Sequence, residues 1–177
     1  GKVKAGCPVK TVNIDDFLFS LPYTPTRAQF NAIKDILLDF KSGYAMNRLV
    51  QGDVGSGKTL VAVAVMYCMA KNGYQSCMMA PTEILANQHY ENISKMLENF
   101  GVCVALLTAS TKAAEKRKIL SDLAEGKIQI LIGTHALLSD KVIFKNLALA
   151  VTDEQHRFGV NQRNLAGQKG INPHILV

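Results

Sequence analysis

Gly52-Asp53-Val54-Gly55-Ser56-Gly57-Lys58-Thr59 is the stretch on which the reading of this chain turns. A short apolar run, Arg48-Leu49-Val50, precedes it, and a long one, 60–70, follows. Strand, glycine-rich turn and helix start, in that order, make the setting of a phosphate-binding P-loop. Gly52, Gly55 and Gly57 let the backbone curl so that several N–H groups aim at one anion, and the helix N-terminus adds its partial positive charge. In that reading Lys58 reaches the β- and γ-phosphates, and the Thr59 hydroxyl is a ligand of Mg²⁺. The alternative is a glycine-rich turn that binds nothing.

Outward from the P-loop, apolar runs alternate with helical patterns. Thr26 is the expected N-cap of a helix with Phe30, Ile33, Ile36, Leu37 and Phe40 on one face, ended by Gly43. A strand is expected at 48–51, and the helix after the P-loop runs to about Asn72, where Asn72-Gly73 supplies a left-handed stop. Strands follow at 75–80, 102–108, 128–132 and 147–151, and another begins at 175. The intervening helices span 83–99, with Ile84, Leu85, Ile93, Met96 and Leu97 inward, and 112–124, stopped by Gly126. Near-continuous apolar strands alternating with helices predict an α/β domain with a mostly parallel sheet and helices on both faces. Ligands gather at the carboxyl ends of such strands, where this chain carries Gly133-Thr134-His135 and Thr152-Asp153-Glu154-Gln155-His156.

A length of 177 residues suits one domain with a real core, and 48% apolar with 19% charged residues excludes a disordered chain. The formal charge of +6 favours a polyanionic partner over a neutral one, without demanding it. Cys7, Cys68, Cys77 and Cys103 form no Cys-x-x-Cys pair and have no histidine at metal-ligand spacing. Cys68, Cys77 and Cys103 lie in apolar runs and are expected as reduced core residues, which suits a cytoplasmic protein. No apolar run reaches the length of a membrane span, and Lys2, Lys4 and Asn13-Ile14-Asp15-Asp16 interrupt any signal-peptide core, so no membrane partner is expected. Residues 1–20, broken by Gly1, Gly6 and Pro8, read as a linker or the tail of a preceding domain, and 21–177 as the domain itself. A chain that starts without Met and stops on an apolar run is expected to be part of a longer one.

A P-loop needs an acidic partner for the metal. Asp153 follows four apolar strand residues, so its carboxylate is expected at the same sheet edge as Lys58, holding Mg²⁺ directly or through water. Glu154 is then the natural general base for the attacking water. The competing reading of Asp153-Glu154 is a helix N-cap with favourable first-turn charge.

The motifs taken together are specific. Leu21-Pro22-Tyr23-Thr24-Pro25-Thr26-Arg27-Ala28-Gln29, the P-loop, Ala80-Pro81-Thr82-Glu83-Ile84-Leu85-Ala86, Gly133-Thr134-His135-Ala136-Leu137-Leu138 and Asp153-Glu154-Gln155-His156-Arg157-Phe158-Gly159-Val160 resemble the RecG family of branch-migrating DNA helicases in superfamily 2. The likeness is to the first RecA-like motor domain and covers nearly all of 21–177. Transcription-repair coupling translocases are similar through Gly52-Asp53-Val54-Gly55 and His156-Arg157-Phe158-Gly159-Val160, but typically carry a second glutamate where this chain has Gln155.

The resemblance implies ATP and Mg²⁺ as cofactors and branched or double-stranded DNA as partner. It also implies a second RecA-like domain and a wedge domain in the same chain, and a monomer. Gln29 matches the glutamine that reads the adenine edge, its other reading being a solvent-facing helix residue. Tyr23 covers the base or packs in its turn. Thr82, Thr134 with the adjoining His135, and the Thr108-Ala109-Ser110-Thr111 turn match positions that touch the nucleic-acid backbone without reading sequence. Ala109 stands where the family usually has glycine. Lys112, Lys116, Arg117 and Lys118 extend that contact or form a solvated basic face. Gln155 and His156 couple hydrolysis to motion, Arg157 joins them or pairs with a carboxylate, and His89 and His174 are structural. The third helicase motif and the arginine finger would lie beyond Val177, so the piece alone is expected to hydrolyse ATP poorly. Two other readings stand beside this one: a transcription-repair coupling or primosomal restart motor, and a nucleotide-binding switch that never turns over, against which Glu154 argues.

Overall fold

The apolar runs pair into one sheet. In a computed structural model, which describes residues 13–41, 47–48, 58–152 and 174–176, the strands are β1 (Asn47–Arg48), β2 (Gln75–Met79), β3 (Val104–Leu107), β4 (Ile130–Gly133), β5 (Leu147–Thr152) and β6 (His174–Leu176). Their order is β1-β6-β5-β2-β4-β3, and every described pairing is parallel. Between them run α1 (Asp15–Ser20), α2 (Arg27–Lys41), α3 (Lys58–Lys71), α4 (Glu83–Leu97), α5 (Ala113–Ala124) and a 3-10 turn, His135–Leu138.

Strand order dictates the layers. From β1 to β2 and from β2 to β3 the chain moves towards the β3 edge, then it steps back through β4, β5 and β6. Parallel crossovers are almost always right-handed, so the outward and returning connections must lie on opposite faces. The core divides accordingly. Residues of α1 to α4 pack with Met78, Ile130, Ile132 and Val151 on one face, while Ile119 and Leu123 of α5 and Leu137 of the 3-10 turn pack with Cys77, Met79 and Leu131 on the other.

In α3 every residue from Leu60 to Met69 is buried, as expected of a helix that is apolar all round. The sheet covers one side, and α1 and α2 cover the other. Phe17 of α1 is fully buried, its ring 5.5 Å from that of Tyr67 and 6.0 Å from that of Phe100. The Tyr67 hydroxyl donates to the Asp16 carboxylate, and the Lys71 ammonium donates to the Asn13 carbonyl at 2.8 Å. This corrects the expectation of a linker as far as residue 20, because the packed domain already includes Ile14, Phe17 and Leu18. Six residues are too few to display a helical period.

Other boundaries shift by a residue or two, and Gly73 ends α3 at φ +82° as Asn72-Gly73 predicts. Four expected core positions are corrected. Ile84 and Leu85 are exposed, because the buried stripe of α4 is Ala86, Ile93 and Leu97, and residues one turn on from Ile84, Asn87 and Gln88, face solvent too. Phe30, in the first turn of α2, is 41% exposed although Ile33, Ile36, Leu37 and Phe40 are buried. Cys103 is exposed at the entrance to β3, whereas Cys68 and Cys77 are buried. No described helix is long and apolar enough to cross a membrane.

Gln75 is a polar residue inside this core, only 2% exposed. Its Nε2 donates to the carbonyls of Leu123 and Ile128 at 2.9 and 2.8 Å, and its Oε1 accepts from the Asn146 N–H at 3.0 Å. One side chain thereby ties the end of α5 to the lead-ins of β4 and β5.

Candidate functional site

The strand register aligns the carboxyl ends. Met79 pairs with both Gly133 and Thr152, and Leu107 pairs with Gly133. The loops after β2, β3 and β4 therefore leave from one edge, and Thr152 ends β5 level with them, one residue before Asp153. Asp153, Glu154, Gln155, His156 and Arg157 lie outside the described residues, as do Gly52, Asp53, Val54, Gly55, Ser56 and Gly57.

Lys58 and Thr59 form the first turn of α3, with Lys58 exposed and Thr59 half-buried. Thr59 lines a cavity of about 710 Å³ together with Tyr23, Gln29, Asn92, Lys95 and Phe100. That volume is in the range of small-molecule sites. An amide, an ammonium, a hydroxyl and an aromatic ring are donors and faces that suit a nucleotide, so two elements the sequence reading joined only by resemblance meet at one cavity.

Gln29 also has a second task. Its Oε1 accepts from the Thr26 N–H at 2.8 Å while the Thr26 hydroxyl accepts from the Gln29 N–H at 3.1 Å. This is a capping box, Thr-x-x-Gln, at the start of α2. The spacing is visible in the sequence as Thr26-Arg27-Ala28-Gln29. Tyr23 is 51% exposed beside the cavity.

Hydroxyls gather on the opposite part of the edge. Thr82 caps α4, its Oγ1 accepting from the Leu85 N–H at 3.2 Å. Thr111 Oγ1 accepts from the Thr108 N–H at 3.0 Å, and Thr108 Oγ1 from the Ser110 N–H at 3.2 Å, so the turn holds itself together. The Ser110 hydroxyl donates instead to the Glu83 carboxylate, 2.8 Å from Oε2 and 3.1 Å from Oε1. Glu83 is the residue here that the sequence reading assigned no role. These two residues line a cleft of about 350 Å³ with Asn87, Tyr90, Thr111 and Glu115.

Thr134 is half-buried between β4 and the 3-10 turn that His135 opens, and His135 is exposed. Gly133 before it admits no side chain, since a Cβ would run into the Leu107 carbonyl oxygen and the Leu137 side chain. Along α5, Lys112, Arg117 and Lys118 are exposed and Lys116 is half-buried; Ala109 is exposed in its turn. His89 is half-buried on α4, and His174 is the first residue of β6.

A family model described as DEAD/DEAH box helicase matches residues 26–170. The chain belongs to the DEAD/DEAH box helicase family. It is 51% identical over 173 residues to the ATP-dependent DNA helicase RecG of Aquifex aeolicus (strain VF5), a match that takes in 94% of this chain and 22% of that one. The RecG of Bacillus subtilis (strain 168) is 51% identical over 160 residues, covering 90% of this chain and 24% of that one. The helicase-family chain thus spans 22% and 24% of the length of these two relatives. The solved structure of RecG bound to a three-way DNA junction superposes with a TM-score of 0.87 at 43% identity, over 98% of this chain and 23% of that one. A hypothetical ATP-dependent RNA helicase from Sulfolobus tokodaii, 20% identical with a TM-score of 0.64 over 92% of this chain and 48% of that one, shares the fold. The fold is that of a RecA-like helicase domain, and the resemblance read from the sequence holds.

Proposed function

We propose that this chain is the first RecA-like half-motor of a RecG-like DNA translocase, which couples ATP hydrolysis to branch migration and replication-fork remodelling. The observation that carries the reading is the cavity shared by Gln29, from the first turn of α2, and Thr59, from the first turn of α3. Base and phosphate ends of one nucleotide need donors on two separate elements, and this cavity is bordered by both.

In this reading Gln29 orients the adenine edge, the P-loop amides and Lys58 hold the phosphates, and Thr59 with Asp153 holds Mg²⁺. Bound Mg²⁺ neutralises charge on the β- and γ-oxygens. Glu154 orients the attacking water and accepts its proton, which a pure nucleotide switch would not require. Gln155 and His156 follow Glu154 directly and link the γ-phosphate end to the edge that carries Thr82, Ser110, Thr111, Thr134 and His135. There, hydroxyls and backbone groups hold DNA phosphates without reading bases. The full-length protein is a cytoplasmic monomer whose second RecA-like domain and wedge domain complete the site and grip the branch.

ATP hydrolysis by the full-length protein tests this, measured with no DNA, with linear duplex and with a synthetic four-way junction, beside Lys58→Ala. The expected result is strong stimulation by the junction that Lys58→Ala abolishes. Equal rates with and without every DNA would overturn the reading.

A further inference from the structure

We propose that Glu83 competes with DNA phosphate for the Ser110 hydroxyl and so sets how tightly this edge holds the duplex when the motor is at rest. The inference rests on the DNA-edge reading above and concerns a residue which that reading leaves without a part.

Three hydroxyls on neighbouring loops are differently committed. Thr82 and Thr111 each use their oxygen as an acceptor, from the Leu85 and Thr108 N–H groups, which leaves the hydroxyl proton to donate outward. Ser110 is the exception. Its oxygen lies 2.8 and 3.1 Å from the two oxygens of Glu83 and donates to that carboxylate. A hydroxyl has one proton, so Ser110 donates to the carboxylate or to a phosphate, and not to both. Hydrogen bonds to an ionised carboxylate are among the stronger kinds, so the exchange of partner is nearly balanced and brings little net gain in DNA affinity. The carboxylate also presents negative charge to the path of the backbone, with Glu115 lining the same cleft. Phosphate contact at Ser110 therefore requires Glu83 to swing away.

The physical consequence is a loose grip at one loop while its neighbours donate freely. A translocase must release and retake the backbone on each step, and an internal competitor lowers the cost of release without removing the contact.

The test is a double-mutant cycle on duplex affinity in the full-length protein, read by fluorescence anisotropy at fixed salt without ATP, with thermal melting to confirm folding. Glu83→Ala is expected to tighten binding by about three- to tenfold, the scale of one nearby like charge removed in a partly screened site. Ser110→Ala is expected to weaken affinity about threefold or more beyond its cost in the unaltered protein when it is made in the Glu83→Ala background, where the freed hydroxyl has become a full phosphate donor. Equal costs of Ser110→Ala in the two backgrounds would overturn the competition and leave Glu83 as bulk charge. An unchanged or weakened affinity in Glu83→Ala would overturn it as well. Thr134→Ala separates the two levels: if it weakens binding while Glu83→Ala leaves it unchanged, the edge binds DNA and only the Glu83 inference fails. If neither variant alters affinity, the DNA-edge reading fails with it.

Discussion

The two faces of the sheet are held by different forces. On the face of α3 and α4, burial is deep and non-directional: α3 is enclosed from Leu60 to Met69, and α1 adds a second layer through Phe17, Tyr67 and Phe100. On the face of α5 the helix buries a narrow stripe, Ile119 and Leu123, and its end is fixed by a polar residue, Gln75, which reaches two carbonyls and one N–H. Apolar contact tolerates small slides, whereas three hydrogen bonds from one planar amide do not. The helix that starts with Lys58 and Thr59 is thus set in a large apolar bed, and the face carrying the 108–112 turn is pinned by direction.

Truncating Phe17 should have the largest effect. Phe17→Ala empties the space between Tyr67 and Phe100 and should lower unfolding free energy in urea by about 3–5 kcal/mol; a loss below about 1 kcal/mol would mean that α1 is not part of the fold. Next is Gln75→Leu, which keeps the volume but strands the Ile128 carbonyl and the Asn146 N–H and removes one of two donors from the Leu123 carbonyl, which still accepts from the Gly126 N–H. A loss of about 3 kcal/mol is expected, since each buried group left without a partner costs on the order of 1–3 kcal/mol. Gln75→Glu should also destabilise the domain, because it exchanges the double donor for a buried charge.

Gln29→Glu sharpens the comparison at the cavity itself. A carboxylate still accepts from the Thr26 N–H, so the capping box and the melting temperature should survive, while the donor to the base is lost. The expected outcome is a rise of about tenfold in KM for ATP with kcat little changed, equivalent to roughly 1.4 kcal/mol of binding. An unaltered KM would leave Gln29 as a helix cap alone.

The smallest effect at ordinary pH comes from the buried thiols. Burial pushes Cys77 up to about 12 and Cys68 up to about 11, against 9.0 for an unburied thiol. Both values are raised in the folded state, so their contribution to stability is fully present below pH 9 and is lost as the pH climbs from 9 towards 12. Denaturation midpoints should be flat between pH 7 and 8.5 and fall above 9, with Cys77→Ala reducing the fall. A midpoint that does not move above pH 9 would contradict the placement of these residues.

The two faces were also unequally legible in the sequence. Alternation of apolar strands with helices is a long-range signal repeated many times, so the parallel sheet and its two covers could be read directly. What escaped depends on short or three-dimensional signals. The α1 helix has six residues, too few for a period, and its anchors Tyr67, Lys71 and Phe100 come from other parts of the chain. Ile84 and Leu85 are apolar by type, yet the stripe that reaches the sheet is fixed by Ala86, Ile93 and Leu97. At the site, the helix start expected at Lys58 and Thr59 was legible from the long apolar run that follows, and these two residues open α3. The pairing of Ser110 with Glu83 was not, because it joins the turn after β3 to the start of α4, which only the register of β2, β4 and β3 brings together. The capping role of Gln29 is written in Thr26-Arg27-Ala28-Gln29, whose Thr-x-x-Gln spacing is that of a capping box.

In the proposed motor, ATP turnover at α3 drives movement on branched DNA. Its most direct measurement is branch migration of a synthetic four-way junction by the full-length protein, followed over time with ATP and Mg²⁺, without ATP, and with Lys58→Ala. Junctions should be resolved to duplex products only by the unaltered protein with ATP. Resolution at the same rate without ATP, or by Lys58→Ala, would contradict the proposal.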